Sequence, residues 1–256
     1  MSVHDVAATG FDAEADAYER ARPSYPPDAV AWLVDALRIA PGTMVVDLAA
    51  GTGKFTRLLA PSGAQLVAVE PVDGMRALLS RTQPEVPAVS AVAEALPLRS
   101  ETVDAITIAQ AFHWFDSERS LEEFQRVLRP GGRIGVVWNA RDRSAPWVDA
   151  IWAIMDRVEK RAPWRPHDEF GANTASIRSP WFAPVTAATF HHEQRATPEE
   201  MVDRIRSVSH VAVLPPAARD AVLDEVRSLL ATDPATAGRH ELAVPYRVDA
   251  FWAERL

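Results

Sequence analysis

The sequence predicts an α/β protein whose mostly parallel, doubly wound sheet has helices on both faces. Two patterns support this prediction. Over the first 138 residues, short apolar runs of strand length alternate with segments whose apolar residues recur at helical spacing. In addition, a loop with two glycines directly follows the first apolar run, as expected where a strand turns into a helix. With 256 residues, 48% of them hydrophobic, the chain is long enough to bury one large core.

The elements of this first part can be assigned in chain order. Pro26 and Pro27 suit the start of the first helix, and Pro130 with the glycines after it stops the last one. The predicted ranges are helix 29–37, strand 44–48, helix 54–59, strand 64–70, helix 75–80, strand 89–92, strand 103–109, helix 120–130 and strand 133–138. This alternation is typical of parallel strands that are joined by crossover helices.

The chain changes character after Trp138. Residues 139–180 are rich in proline, arginine and tryptophan. Alternating polar and apolar residues then predict a strand, and two segments that open with proline predict helices before a final strand. The predicted ranges are strand 184–197, helix 198–209, helix 215–230 and strand 240–256.

The composition argues against several functional classes. A net charge of −8 gives no general attraction to a phosphate backbone, so nucleic acid is not expected as the main partner. Without cysteine there is no disulfide framework, thiol nucleophile or thiolate metal site. No run of eighteen apolar residues predicts a transmembrane helix, and the acidic N-terminus does not look like a secretory signal. A cytoplasmic location is therefore expected.

The loop with two glycines has the features of a ligand site. Gly51 and Gly53 follow a buried strand, where a bare backbone and the free N–H groups of a helix N-terminus accept a ligand. A phosphate-binding P-loop is excluded, because Leu48 stands where it needs glycine and Phe55 where it needs Ser or Thr. A dinucleotide motif G-x-G-x-x-G is a weak second interpretation, because Thr56 occupies its last position.

S-adenosylmethionine is the third candidate ligand. Its charged groups are an ammonium, a carboxylate and a sulfonium, so its loop need not cradle a pyrophosphate, and Asp47 at the strand end is placed to meet a cationic group. The series Asp47, Ala49, Gly51, Gly53 resembles the first motif of the class I S-adenosylmethionine-dependent methyltransferases, an acid, then a glycine two residues later, then G-x-G. Alanine replaces the first glycine here, which is tolerable if its φ stays negative.

The resemblance continues along the chain in the family's order. Glu70 in "VAVEP" corresponds to the acid that accepts both ribose hydroxyls. The segment "AVAEALPLRSETVDAI" resembles the adenine loop, but Val92 stands where Asp is common, so adenine recognition falls to the backbone of Ala93 and to Glu94. The segment "RVLRPGGRIGVVW" matches the helix, turn and strand that close the core. The resemblance covers 11–138 and implies a Rossmann-like, seven-stranded sheet with S-adenosylmethionine as the cofactor.

The acceptor side is assigned to the ends of the fourth and fifth strands, which face the transferable methyl group in this family. Gln110, in "AQAFHWFD", is placed at the cofactor, and His113, Trp114 and Trp138 are placed in the substrate pocket. His113 is either a general base or a ring that packs beside the cofactor. The "HW" pair resembles a subgroup that includes the trans-aconitate methyltransferases and related enzymes of small molecules.

The N-terminal segment "FDAEADAYERARPSYP" is similar to a segment of this subgroup that folds over the cofactor. Tyr18 and Tyr25 are apolar anchors in this interpretation, the first at the substrate and the second at the cofactor, and Arg22 pairs with the methionine carboxylate. We therefore expect one domain over 1–256 with three parts. These are the lid segment 1–38, the cofactor-binding core 39–138, and the aromatic and helical insert with the closing strands 139–256.

Three functions remain open at this stage. The leading one is methyl transfer to a small molecule at O, N or C by direct displacement. The alternatives are methylation of a tRNA base, and a protein that keeps the cofactor site without transferring methyl groups. A metal site is not expected, because the adjacent His191 and His192 would face opposite sides of a strand.

Overall fold

The computed structural model describes residues 23–159 and 179–256. Seven strands of this part form one sheet in the order β3-β2-β1-β4-β5-β7-β6. Their bounds are β1 Met44–Leu48, β2 Gln65–Val69, β3 Ala88–Val89, β4 Val103–Ala109, β5 Leu128–Arg141, β6 Thr186–Ala196 and β7 Leu242–Glu254. The first five strands pair in parallel, while β7 is antiparallel to both β5 and β6. The predicted mostly parallel, seven-stranded α/β fold is confirmed.

The helices lie between the strands and after them. Their bounds are α1 Pro27–Ala36, α2 Lys54–Leu59, α3 Asp73–Thr82, α4 Ser117–Val127, α5 Pro146–Glu159, α6 Pro198–Arg206, α7 Ser209–Ala212 and α8 Pro216–Thr232. Short 3₁₀ turns cover Ala60–Ser62 and Phe112–Trp114. No helix in 23–159 or 179–256 is long and apolar enough to cross a bilayer.

Two hydrophobic clusters cover the two faces of the sheet. Adjacent strand residues point to opposite faces, so Val45 joins the cluster that contains α1 and α2, whereas Val46 joins the cluster that contains α4. Ala105 and Ile106 of β4 divide between the clusters in the same way. Because both faces are covered, the central strands are apolar along their length.

The sequence-based ranges agree with these elements to within a few residues, except at four places. The strand predicted at 89–92 is only Ala88–Val89, and α4 ends at Val127, before Pro130, because the chain extends into β5 at Leu128. Helix α5 lies inside the segment 139–180, for which the sequence predicts no element, and the short helix α7 is not predicted either. The strand at 184–197, both later helices and the final strand are confirmed as β6, α6, α8 and β7.

The β6–β7 pair continues past the parallel strands. Ala109, the last residue of β4, lies beside Val137, which pairs with Ala250 of β7. Strand β7 starts eight residues before Ala250, at Leu242, and Ala196 ends β6 beside it. At about 3.3 Å per residue, this ribbon extends roughly 25 Å beyond the end of β4.

Helices α5 to α8 pack on this projecting ribbon. They form a third hydrophobic cluster with Ala196, Leu242, Val244 and Tyr246 of the ribbon. We call these four helices the helical cap, and we call the side of the sheet where β1, β2 and β4 end the carboxyl edge. The cap therefore stands on the same side of the sheet as the loops at the carboxyl edge, where ligands of doubly wound sheets bind.

Candidate functional site

The loop between β1 and α2 has three residues in the left-handed backbone region. Ala49 has φ of 53°, Gly51 58° and Gly53 82°. The expectation that alanine is tolerable with a negative φ is wrong, because Ala49 adopts the conformation that a glycine would take without a Cβ penalty. A strained residue at the end of a central strand is characteristic of a functional loop.

Asp47 is fully buried at the end of β1. Its Oδ2 accepts a hydrogen bond from Thr56 Oγ1 of α2 at 2.5 Å, and its Oδ1 accepts one from Thr107 Oγ1 of β4 at 2.9 Å. Burial raises the pKa of Asp47 to about 6, although both hydroxyls lower it. Contrary to the expectation that it meets a cationic group, Asp47 has no exposed surface and ties two strands to the first helix of the loop.

Glu70 follows β2 and is 4% exposed. Its Oε2 accepts from the backbone N–H of Gly51, and its Oε1 accepts from that of Val72, both at 2.8 Å. Burial raises the pKa of Glu70, while these two N–H groups lower it. The acid at the end of the second strand therefore holds the glycine loop in place. Each carboxylate oxygen retains a second lone pair that could accept a ligand hydroxyl.

The two glycines serve different needs. A Cβ at Gly53 would lie 2.2 Å from Gln83 Nε2 and 2.8 Å from Leu79 Cγ, so this position must be bare for helix α3 to pack. Gln83 Nε2 also donates to the carbonyl of Gly53 at 2.9 Å. A Cβ at Gly51 would meet only Met75 Sδ, at an ordinary 3.6 Å. Space therefore lies open beside Gly51, which fits close approach of a ligand to its backbone.

The proposed adenine loop lies against α4. Ala93 is buried in the core, and Glu94 Oε1 accepts from the backbone N–H of Asp116, the N-cap of α4, at 2.8 Å. Arg126 fastens the continuation of the loop, because its guanidinium donates to the carbonyls of Leu96 and Leu98. The loop is thus held from both ends of α4.

Gln110 and Asn139 meet where β4 and β5 end. Gln110 has φ of 61°, and its Nε2 donates to the carbonyl of Asn139 at 3.2 Å. The Asn139 side chain is 6% exposed; its Nδ2 donates to the carbonyl of Ser24 at 3.1 Å, and its Oδ1 lies 3.2 Å from His192 Nε2. Burial lowers the pKa of His192. Asn139 therefore links the N-terminal chain, β4 and β6.

Three aromatic rings meet at the ends of β4 and β5. The ring centroid of His113 lies 4.7 Å from that of Trp114 and 4.8 Å from that of Trp138. All three side chains are partly exposed, and both tryptophans pack on the core cluster that contains α4. The structure brings together three of the four residues that the sequence assigned to the substrate pocket, the fourth being Tyr18. The His113 ring is tilted by 39° against Trp114 and stands edge-on, at 77°, to Trp138, so the three rings form an angled aromatic wall.

Of the residues predicted in the N-terminal segment, the structure describes only Tyr25. Tyr25 is 8% exposed and packs edge to face on Phe55 of α2, two residues after Gly53, with ring centroids 5.1 Å apart. Tyr18 and Arg22 lie outside the described residues. His191 is exposed and His192 is half-buried, as expected for neighbours on a strand. In 23–159 and 179–256, no group of three or more His, Asp or Glu side chains could hold a metal ion.

Sequence reasoning missed Thr56, Thr107, Gln83 and Asn139. Thr107 and Asn139 gain their roles from partners that are 60 and 115 residues away in the chain. The only sequence signal for Asn139 is an amide residue directly after the apolar run of the fifth strand.

Comparisons with known proteins agree with this geometry. A family model described as a methyltransferase domain matches residues 46–136. An uncharacterized methyltransferase of Mycobacterium tuberculosis (strain ATCC 25618 / H37Rv) is 40% identical over 236 residues, which cover 92% of this chain and 91% of the relative. An uncharacterized methyltransferase-like protein of Schizosaccharomyces pombe is 32% identical over 250 residues, covering 96% and 95% of the two chains.

Solved structures show the same architecture. A proposed type II methyltransferase from Anaeromyxobacter dehalogenans is 28% identical and superposes with a TM-score of 0.67 over 91% of this chain and 96% of that one. A phosphoethanolamine N-methyltransferase of Haemonchus contortus, solved with phosphomonomethylethanolamine and S-adenosylhomocysteine, has a TM-score of 0.61 at 17% identity over 100% of this chain and 60% of that one. At that identity the second comparison shows the fold alone.

Proposed function

The chain belongs to the class I S-adenosylmethionine-dependent methyltransferases, and from that premise we propose that it methylates a small-molecule acceptor by direct displacement. The observation that carries the proposal is the ring cluster of His113, Trp114 and Trp138 near the end of β4, the strand that pairs with β1 ahead of the glycine loop. Methyl transfer needs alignment of nucleophile, methyl and sulfur and the exclusion of water, because the sulfonium is already a good leaving group. Rigid aromatic walls supply both.

The proposed cofactor site lies at the ends of β1 and β2. The methionine moiety lies against the open backbone at Gly51, and Glu70 accepts the ribose hydroxyls with its remaining lone pairs. Ala93 and Glu94 border the adenine. Asp47 acts on the ligand through the loop, since its carboxylate is fully enclosed. Gln110, Tyr25 and Arg22 remain predicted cofactor residues, and Tyr18 remains a predicted substrate contact.

The proposed acceptor site lies between the ring cluster and the helical cap. The charge of the whole chain favours a small molecule over tRNA, because the net charge is −8 and the methyltransferase fold carries no added basic module in the described residues. A demethylmenaquinone methyltransferase of Mycobacterium sp. (strain KMS) is 46% identical over 102 residues, 40% of this chain and 44% of that protein. Its name denotes a small-molecule acceptor, which supports the same class here.

Calorimetry and product analysis test this proposal together. The dialysed protein should bind S-adenosylmethionine and S-adenosylhomocysteine without added metal, and NAD should give a weaker response. Labelled cofactor should then transfer its methyl group to members of a metabolite panel and not to bulk tRNA. Absence of heat at high micromolar S-adenosylhomocysteine would contradict the proposal. Label in tRNA, or binding without any transfer, would favour one of the alternatives.

Replacement of Glu70 tests the cofactor site directly. Glu70→Ala should weaken cofactor binding by roughly 1.5–3 kcal/mol, the range for hydrogen bonds to a charged group. Glu70→Gln keeps the shape but cannot accept from two N–H groups and two hydroxyls, so it should also bind more weakly. Glu122, which is exposed on α4, provides the control, and Glu122→Ala should leave the affinity unchanged. Equal affinities in all three variants would remove Glu70 from the site.

A further inference from the structure

Arg204 of α6 is a buried cation with unused donors. The residue is 7% exposed, and its Nε and Nη1 are buried with no hydrogen-bond partner in the part of the chain that the structure describes. A guanidinium is always charged and carries five N–H donors. Enclosing it without an acceptor is unfavourable, so the position calls for a compensating group.

The nearby acids of the cap are engaged elsewhere. Asp203 pairs with Arg206 at 2.9 Å, and Glu199 pairs with Arg227 at 3.0 Å. Among the described residues, the contact recorded for the Arg204 guanidinium is with the ring of Tyr246, 5.5 Å from the ring centroid. A cation–π contact attracts the positive charge. It does not accept hydrogen bonds from the N–H groups, which point outward in the plane of the guanidinium. The Nε and Nη1 donors of Arg204 thus have no acceptor among the described residues.

A continuous series of contacts leads from Arg204 to the candidate active site. Tyr246 stacks on His192 with ring centroids 5.4 Å apart, and His192 contacts the Asn139 side chain. The carbonyl of Asn139 in turn accepts from Gln110 at the end of β4. Tyr246 lies four residues along β7 from Ala250, which is level with the end of β4, so the Tyr246 backbone stands roughly 13 Å beyond the carboxyl edge. The Arg204 guanidinium lies 5.5 Å from the Tyr246 ring centroid.

We propose that Arg204 is the anion-binding residue of the acceptor site and that the acceptor carries a carboxylate or phosphate group. This inference rests on the proposed function, because it places the methyl acceptor between the ring cluster and the cap. Carboxylate and phosphate oxygens match the guanidinium fork in a bidentate manner. The anion is held at one end of the pocket, while the nucleophile at the other end faces the methyl group.

The test measures binding of inorganic phosphate and of succinate by the full-length protein saturated with S-adenosylhomocysteine, in buffer without competing anions. Wild type should bind at least one of the two, which also distinguishes the phosphate from the carboxylate source. Arg204→Met should lower that affinity at least tenfold, as expected for loss of charge-assisted hydrogen bonds. Arg206→Met removes a partly exposed arginine from the same helix and should bind as wild type does.

A stability readout separates this role from a structural one. Without the anion, Arg204→Met should unfold at the same or a higher temperature than wild type, because methionine of similar size replaces an uncompensated charge. If this variant does not fold, Arg204→Lys decides the matter, and a lysine without the planar fork should bind at least tenfold more weakly. Wild-type affinity in either variant, or no binding of either anion by wild type, overturns the inference. Binding of S-adenosylhomocysteine by wild type is measured separately and tests the proposed function alone.

Discussion

The two halves of the carboxyl edge are built in opposite ways. At β1 and β2 the surface offered to a ligand is backbone, and the carboxylates of Asp47 and Glu70 are turned inward to hold it. At β4 and β5 the surface is made of side chains, with His113 between Trp114 and Trp138. The first half suits a ligand that is the same throughout a family, and the second suits an acceptor that differs from one enzyme to the next.

The two halves also differ in how far apart in the sequence their residues lie. Apart from Thr107, which bonds Asp47, the residues that hold the cofactor half lie between Asp47 and Gln83. The acceptor half brings together Ser24, Asn139 and His192, which lie much farther apart in the chain. Changes in the first half should therefore disturb stability along with cofactor binding. Changes in the second half should mainly alter the acceptor.

The largest expected effect separates the two glycines. Gly53→Ala should lower the free energy of unfolding by roughly 2–5 kcal/mol, from overpacking against Gln83 and Leu79 and from the left-handed backbone. Gly51→Ala shares only the backbone cost, so it should lose roughly 1–2 kcal/mol. Denaturant unfolding of both variants measures the difference.

The effect on cofactor affinity should be in the reverse order, with Gly51→Ala impairing binding by the folded protein more than Gly53→Ala does. A methyl group at Gly51 projects into the open space beside the loop, so Gly51→Ala should impair binding even where the protein is fully folded. Equal losses of stability in the two variants would mean that α3 can move away from Gly53. The assignment of Gly53 to helix packing and of Gly51 to ligand binding would then be wrong.

The next effect depends on pH. The folded-state pKa of Asp47 is raised from 3.8 to about 6, so its contribution to stability is fully present below pH 3.8 and is lost as the pH rises through about 6. The amide side chain of an Asp47→Asn variant does not ionise. The variant should therefore gain about 2 kcal/mol on wild type between pH 4.5 and pH 7.5, at about 1.4 kcal/mol per pKa unit.

Urea unfolding at these two pH values checks the expectation. Asp35 is exposed on α1, and Asp35→Asn should keep a constant offset from wild type. A constant offset for Asp47→Asn as well would show that its carboxyl ionises alike in the folded and unfolded chain. Burial of the Asp47 carboxylate would then not carry the energetic cost that its raised pKa implies.

Most of the fold was predictable because it depends on local patterns. Short apolar runs, prolines at helix starts and the glycine loop each lie within a few residues of the element that they define. Helix α5 was missed because its tryptophans and the surrounding prolines and arginines obscured its period. The hydrophobic cluster that α5 shares with α6 to α8 forms on the projecting β6–β7 ribbon. No local sequence pattern predicts that this ribbon extends beyond the parallel strands.

The candidate site was predictable in position but less so in orientation. The sequence places Asp47 at the end of a strand, yet its direction is decided by Thr107, which lies beside it only once β1 and β4 pair. Similarly, Ala49 matches a motif position, but its positive φ comes from the turn that the loop must make. The direction of the Asp47 side chain and the φ of Ala49 therefore depend on the folded structure, and local sequence patterns do not predict them.

A smaller effect is expected in the acceptor half. The His113 ring is flanked by two indoles, which supports a role in packing and alignment. His113→Ala should lower kcat by about tenfold or less, whereas loss of a general base would cost about 10²–10⁴. The control Trp114→Phe should act mainly on the KM for the acceptor. A large loss in His113→Ala that shrinks as the pH rises would instead identify His113 as the base.

The smallest effect concerns the alanine of the glycine motif. Ala49→Gly removes a Cβ from a residue with φ of 53°, which favours the folded state by roughly 1–2 kcal/mol, but it adds about 0.4–1 kcal/mol of freedom to the unfolded chain. The variant should therefore be more stable than wild type by about 1 kcal/mol or less. Ala50 has no positive φ, so Ala50→Gly should lose stability instead. If both changes destabilise the protein equally, the methyl group of Ala49 must make core contacts that outweigh its strain, since it packs against the cluster that contains α4.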